Sequence, residues 1–204
     1  MYKLYNKVVQ MLKIGITGGI GSGKTTVCRL FELFGIPVYY ADDESKKILN
    51  FDENVKESVL KIFGNSILNV EGAIDRKKIA SLVFNKKEEL EKLNAIIHPA
   101  VGKHFNNWLN QQKAPYCIKE AAILFESGAY KQVDKIITVL APLELKISRT
   151  IKRNGITKEE VMVRIQNQLS DEEKVKRSDF VIVNDEQQLL IPQVLKLHTQ
   201  LLNK

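Results

Sequence analysis

The spacing of apolar residues along the chain switches repeatedly between short buried runs and the three-to-four-residue step of an amphipathic helix. Leu12-Lys13-Ile14-Gly15-Ile16 is such a run and predicts a first strand. Val27, Leu30, Phe31 and Phe34 then fall at i, i+3, i+4 and i+7, one face of a helix that Gly35 ends. Residues 36–41 are β-branched and aromatic and predict a second strand. Residues 43–112 read almost entirely as helix. Val55, Val59, Leu60 and Phe63 form a stripe stopped by Gly64; Asp75 can cap a helix carrying Ile79, Leu82 and Val83; and a third helix carries Leu90, Leu93, Ile96 and Ile97 up to His98-Pro99, where proline should break or kink it.

Strand character returns at residues 116–125, just before Glu126, and again at 135–140 and 179–183. Between the last two, the pattern from Leu143 is helical, turns at Asn154-Gly155, and restarts at Thr157-Lys158-Glu159-Glu160, a capping box. Ser170-Asp171-Glu172-Glu173 is a second such box. A closing helix over 187–202 keeps Leu190, Val194, Leu197 and Leu201 on one face despite Pro192. Strands alternating with helices predict an α/β fold, a doubly wound parallel sheet of about five strands. An ordinary crossover needs far fewer residues than 43–112, so that stretch is expected to be an inserted helical subdomain. One domain over 11–204 is expected, with a helical lid at about 143–170. Met11 directly precedes the first strand, so residues 1–10 are expected to be an N-terminal extension.

Between the first strand and first helix lies Thr17-Gly18-Gly19-Ile20-Gly21-Ser22-Gly23-Lys24-Thr25-Thr26. Gly18, Gly23, Lys24 and Thr25 satisfy G-x-x-x-x-G-K-[ST], and the strand before and helix after supply the context that motif requires. The glycines let backbone N–H groups close around an anion, and the helix adds the positive end of its dipole. The expected fold is therefore of the P-loop NTPase kind. Gly19, Gly21, Ser22, Gly23, Lys24, Thr25 and Thr26 are candidate ATP-binding residues, with Lys24 on the β/γ-phosphates and the Thr25 hydroxyl on Mg²⁺.

Other stretches of the chain carry candidate chemistry. Asp42 follows the second strand at the sheet edge where ligands sit, as a catalytic group or as a cap for the next helix. Glu120 either holds Mg²⁺ through water or makes an edge salt bridge with Lys119 or a neighbour. Arg149 and Arg153, four apart, share a helix face, and with Arg164 and Gln168 beyond the turn they read either as a phosphate-closing lid or as a solvated basic pair. Asn184, after the last strand, is a candidate neighbour of the adenine.

Charge changes the picture modestly. Thirty-one basic against 24 acidic residues give a net charge of +7, which suits an anionic partner, either nucleic acid or a small polyphosphate. Acidic residues are interspersed through every predicted helix, so a continuous nucleic-acid stripe is not expected. Cys28 and Cys117 lack metal-ligand spacing and read as reduced core residues, consistent with a cytoplasmic location. No apolar run approaches the ~18 residues of a membrane span. His104 and His198 have no evident partner in the sequence and are expected on helices or at the surface.

These residues together resemble the dephospho-coenzyme A kinases. The likeness runs from Leu12 to about Asn184. Beyond the phosphate loop it rests on Ala41-Asp42, on Leu93 to Pro99, on Leu124-Phe125-Glu126, on Arg149, Arg153-Asn154-Gly155 and Arg164 to Gln168, and on Val183-Asn184. The resemblance implies ATP-dependent phosphorylation of the ribose 3'-hydroxyl of dephospho-coenzyme A, the last step of coenzyme A synthesis. It implies Mg²⁺ as cofactor, Asp42 as catalytic base assisted by Lys24, Arg149 and Arg153, and acceptor contacts from Asp42, His98 and Glu126. Three positions depart from the family pattern: Tyr40 stands for an aspartate, Ala122 for a proline and Asn154 for an aspartate. The expected state is a monomer or weak homo-oligomer, with neither nucleic acid nor membrane as partner. A nucleoside or nucleoside monophosphate kinase is the alternative. A P-loop switch is disfavoured because no Asp-x-x-Gly occurs.

Overall fold

The structure, a computed structural model, describes residues 11–83 and 86–203; the expected extension at 1–10 lies outside them. The first half runs β1 (Leu12–Thr17), α1 (Lys24–Leu33), β2 (Val38–Tyr40), then helices α2 (Ala41–Phe51), α3 (Glu53–Phe63), α4 (Arg76–Val83) and α5 (Lys87–Leu109). The second half runs β3 (Tyr116–Glu120), β4 (Lys135–Leu140), α6 (Leu143–Asn154), α7 (Lys158–Gln166), α8 (Asp171–Lys176), β5 (Phe180–Val183) and α9 (Leu190–Leu202). The five strands are all parallel, in the order β2-β3-β1-β4-β5.

β1 sits at the centre because its apolar run is buried on both faces, with Ile14 and Ile16 wholly inaccessible. Its register sets the site. Ile16 lies opposite Glu120, and Glu120 opposite Tyr40, so three strands end at one level beneath the loop that follows Thr17. One apolar cluster joins that sheet to α1 and α9 through Val27, Phe31, Tyr116, Val139 and Val194. The other joins the helical insert to the sheet, Val59, Ile79 and Phe105 packing with Tyr39, Ala121 and Ile136. The insert therefore has no core separate from the sheet. Two histidines pin helices to strands: Nδ1 of His104 lies 3.0 Å from the Tyr39 hydroxyl, and that of His198 lies 2.7 Å from the Tyr116 hydroxyl.

Several expected boundaries move, each for a local reason. β2 begins at Val38, because Pro37 has no N–H to give a ladder; its carbonyl instead accepts from Ile118 N at 2.9 Å. α2 begins at Ala41, and Tyr40 is its N-cap, without a side-chain bond. Asp42 thus lies inside the first turn, and its reading as the helix cap is corrected. β3 ends at Glu120, not Phe125. The apolar run continues because Leu124 and Phe125 are buried beneath the loop, not in the sheet.

α5 continues through Pro99, so the break that was one alternative there does not occur. Proline removes one helical hydrogen bond, but Leu93, Val101 and Phe105 on either side are buried and anchor both halves. The Thr157 capping box is complete; at Ser170 only the side-chain bond to Glu173 N forms. α9 begins at Leu190 because Asp185 Oδ1 accepts from the N–H groups of Gln187 and Gln188, at 3.0 and 2.8 Å, and makes a turn there. Pro192 then falls in the first helical turn, where its missing N–H costs nothing.

Candidate active site

Above the strand ends lie two cavities that share one residue, Asp42. The larger, about 1190 Å³, is lined by the phosphate loop, Glu120, Tyr40 and five arginines, Arg29, Arg76, Arg149, Arg153 and Arg164. The smaller, about 350 Å³, lies between α2, α5 and the segment after β3, with His98 and Lys119 on its wall.

The loop's shape follows from its glycines and from what supports it. Ser22 N donates to Gly19 O at 3.1 Å. Gly21 (φ 78°) and Gly23 (φ 93°) have positive φ. A Cβ on Gly21 would collide with the Lys146 carbonyl, and one on Gly23 with the Asn184 amide. Asn184 Nδ2 donates to Ser22 O at 2.8 Å and lines neither cavity, so it braces the loop from outside the cleft. Gly19 and Ser22 also lie off the cavity wall; the Ser22 hydroxyl is buried without a hydrogen-bond partner. Gly21, Gly23, Lys24, Thr25 and Thr26 face the cleft.

Lys24 does not extend into open space. It is 8% exposed, and its Nζ donates to Gly18 O at 3.1 Å and Gly19 O at 3.5 Å and lies 3.8 Å from Glu120 Oε1. Of the alternatives for Glu120, Lys119 as a salt-bridge partner is corrected: adjacent strand residues point to opposite faces, and Glu120 turns to Lys24. Burial pushes the Glu120 carboxyl up to about 7, opposed by Lys24 and reinforced by Asp42 and Asp43. Burial likewise raises Asp42, against the lowering pull of Lys24 and of a hydrogen bond from the Ala122 backbone. Tyr40, where the family pattern has an aspartate, points into the same cleft and bonds to Glu32. Glu120 of β3 is one of the carboxylates that line this cleft beside Asp42, with Asp43 and Glu32.

Arg149 donates to Asn184 O at 3.3 Å and to Glu186 Oε1 at 2.8 Å. Arg153 Nε donates to the neighbouring Asn154 Oδ1 at 3.1 Å. Both side chains line the cleft, as do Arg164 and Gln168, and Gln168 Oε1 accepts from Ile20 N at 2.9 Å, joining the end of α7 to the loop. His98 is on the smaller cavity, its imidazole pK held down by burial and by Lys119. Glu126 is in neither: its Oε1 accepts from Leu169 N at 2.7 Å and lies 3.6 Å from Lys174 Nζ, so it ties the segment after β3 to the segment before α8.

Arg29, Arg76, Tyr40, Lys119 and Gln132 were not picked out as site residues from the sequence. For Lys119 a signal existed, a lysine inside an otherwise apolar run of a parallel strand. For Arg76, on α4, nothing local marked a side chain that reaches the cleft of a distant loop. No group of three or more metal-ligating side chains occurs among the described residues, and none of their helices is long and apolar enough to cross a membrane.

Known proteins are similar to this chain over most of its length. The dephospho-CoA kinase family model matches residues 12–189. A dephospho-CoA kinase of Bacteroides fragilis is 42% identical over 187 residues, covering 91% of both chains. Among solved structures, TT1252 from Thermus thermophilus superposes with a TM-score of 0.84 at 34% identity, covering 94% of this chain and 97% of the other. Dephospho-CoA kinase from Campylobacter jejuni superposes with a TM-score of 0.68 at 27% identity over the same shares. With the phosphate loop, the shared Asp42 and the arginine-lined cleft inside the matched span, the chain belongs to the dephospho-CoA kinase family.

Proposed function

We propose that this kinase transfers the γ-phosphoryl group of ATP to the ribose 3'-hydroxyl of dephospho-coenzyme A. The observation that carries the reading is the position of Asp42 on the wall common to both cavities. A nucleotide on the phosphate loop and an acceptor in the smaller cavity would meet at that carboxylate. The loop N–H groups, Lys24, Arg149 and Arg153 hold and neutralise the phosphates, and positioning and charge neutralisation carry most of this chemistry. Asp42 accepts the hydroxyl proton, a contribution of roughly 10²–10⁴-fold for a general base. Gly19 and Ser22 act by shaping the loop from within, Asn184 by bracing it from behind, and Glu126 by holding the segments that carry the contacts.

Thr25 and Glu120 are the groups that would hold Mg²⁺. Glu120 fits a cation, since burial and two neighbouring carboxylates disfavour its charge and a divalent ion would relieve that cost. So few protein ligands suit Mg²⁺, which keeps waters and takes phosphate oxygens for the rest of its shell. When bound, the ion neutralises charge on the phosphate oxygens.

The insert, 43–112, supplies the acceptor side and 143–170 the lid. The protein acts in the cytoplasm, where free buried Cys28 and Cys117 are stable, as a monomer or weak homo-oligomer without nucleic acid. ADP release measured with dephospho-coenzyme A, AMP, CMP and adenosine tests the reading. Dephospho-coenzyme A should be the preferred acceptor; preference for a mononucleotide would overturn it.

A further inference from the structure

The two cavities differ in a way that assigns the parts of the acceptor. All five arginines near the site line the larger cleft and none lines the smaller cavity, where Ala41, Ile97, Pro99, Val101, Ala121 and Ile123 make much of the wall. Polyphosphate needs several cationic donors and belongs with the arginines. A small, partly open space that mixes apolar wall with polar groups suits a flat nucleobase.

One of those polar groups is unusual. Lys119 is 1% exposed, and no carboxylate pairs with it among the described residues. Its Nζ donates to Gln132 Oε1 at 2.5 Å and lies 4.3 Å from the centre of the Phe105 ring. An ammonium carries three N–H donors, and Gln132 takes one. Gln132 is itself seated against Gly102, where a Cβ would come within 2.7 Å of its Nε2. Lys119 and Gln132 both line this cavity, so a buried charge that the Phe105 and Tyr39 rings only partly offset stands at its wall, where a ligand accepting a hydrogen bond would offset more of the cost.

We propose that the smaller cavity seats the purine of the acceptor and that Lys119, steadied by Gln132, donates a hydrogen bond to one of its ring nitrogens. This rests on the acceptor reading given above, in which the ribose offering its hydroxyl to Asp42 carries the base on the same ring. Lys119 is then a specificity residue: a base without that nitrogen leaves a buried donor unpaired and is rejected.

Calorimetric binding of dephospho-coenzyme A and its 1-deaza, 3-deaza and 7-deaza analogues provides the test. Wild type should bind one of the three analogues about tenfold or more weakly than the parent. Lys119→Met, which keeps an unbranched stem over Phe105, should weaken the parent by a similar factor and no longer distinguish that analogue. Gln132→Glu, whose carboxylate would capture the ammonium, should lose the same distinction, and it serves if Lys119→Met does not fold. Equal binding of all three analogues to wild type, or a distinction that survives in the variants, would overturn the proposal. So would a Lys119→Met protein that binds dephospho-coenzyme A weakly but adenosine normally, since the lysine would then read the diphosphate. Absence of ADP release by wild type with dephospho-coenzyme A would instead sink the proposed function, in a separate assay.

Discussion

The two sides of Asp42 are built by different means. On the phosphate-loop side one continuous stretch supplies the motif groups: backbone N–H groups, Lys24, Thr25 and Thr26 follow β1 without a break and face one cleft, while the arginines around them come from distant elements. On the insert side there is no such stretch: the cavity wall is assembled from α2, α5, β3 and the segment after it, between Ala41 and Gln132. A wall made of backbone tolerates change in its side chains as long as glycine remains glycine. A wall made of side chains depends on each of them, and on the core that holds their helices against the sheet.

The largest effect should come from the loop side. Lys24 is the one lysine of the loop, and its Nζ already sits on the Gly18 and Gly19 carbonyls at 3.1 and 3.5 Å. Lys24→Ala removes a preorganised charge from the transferred phosphate, and kcat should fall by about 10³ or more. Circular dichroism should show an unchanged fold, and steady-state ADP release measures the loss. Near-normal turnover would mean that the loop acts through backbone alone. Next comes the shared wall. Asp42→Asn keeps size and helix position but not the base, and kcat should drop by about 10²-fold while acceptor affinity changes little. An unchanged kcat would leave Asp42 with only a positional role.

The arginine side of the cleft should respond less. Among the described residues the Arg153 side chain hydrogen-bonds only to its neighbour Asn154, which leaves most of its donors for phosphate if α6 and α7 act as the proposed lid. Arg153→Lys keeps the charge and loses the planar fork, and kcat should fall by about tenfold. Equal kcat in the two proteins would make this helix face a solvated surface and confine the phosphate contacts to the loop.

How much was legible follows the same division. The loop, the order of strands and helices, and Asp42 at the end of β2 could be read because each is encoded within a few residues. Pro99 misled because its local penalty is real but smaller than the burial of Leu93, Val101 and Phe105, which only the packed insert supplies. β3 was read too long because an apolar residue beneath a loop and one in a strand look alike in sequence. Glu120 was found and its alternative partner misjudged, since strand alternation, not adjacency, decides where neighbours point. Arg76 and Gln132 reach their cavities only through long-range packing, and no local pattern marks them; Arg29, four residues after Thr25 on α1, shares a helix face with the motif and could have been read from that spacing.

The smallest effect sharpens the contrast most, because it concerns two consecutive residues. Glu120 and Lys119 point to opposite faces of β3, one to each cavity, and each is buried. Burial raises Glu120 from an ordinary 4.5 to about 7, so between those values the folded protein holds a proton that the unfolded chain has released. Stability from this group is therefore full below about pH 4.5 and declines as pH rises towards 7. Lys119 falls from 10.5 to about 8, so between those values the unfolded chain holds the extra proton, and stability rises with pH across that window. Melting temperatures of the ligand-free protein should show both slopes, each on the order of 1 kcal/mol. Glu120→Gln should flatten the acid-side decline alone and Lys119→Met the alkaline-side rise alone. A single variant that removed both slopes would show the two groups titrating as one site, and the separation of the cavities by β3 would fail as an account of their chemistry.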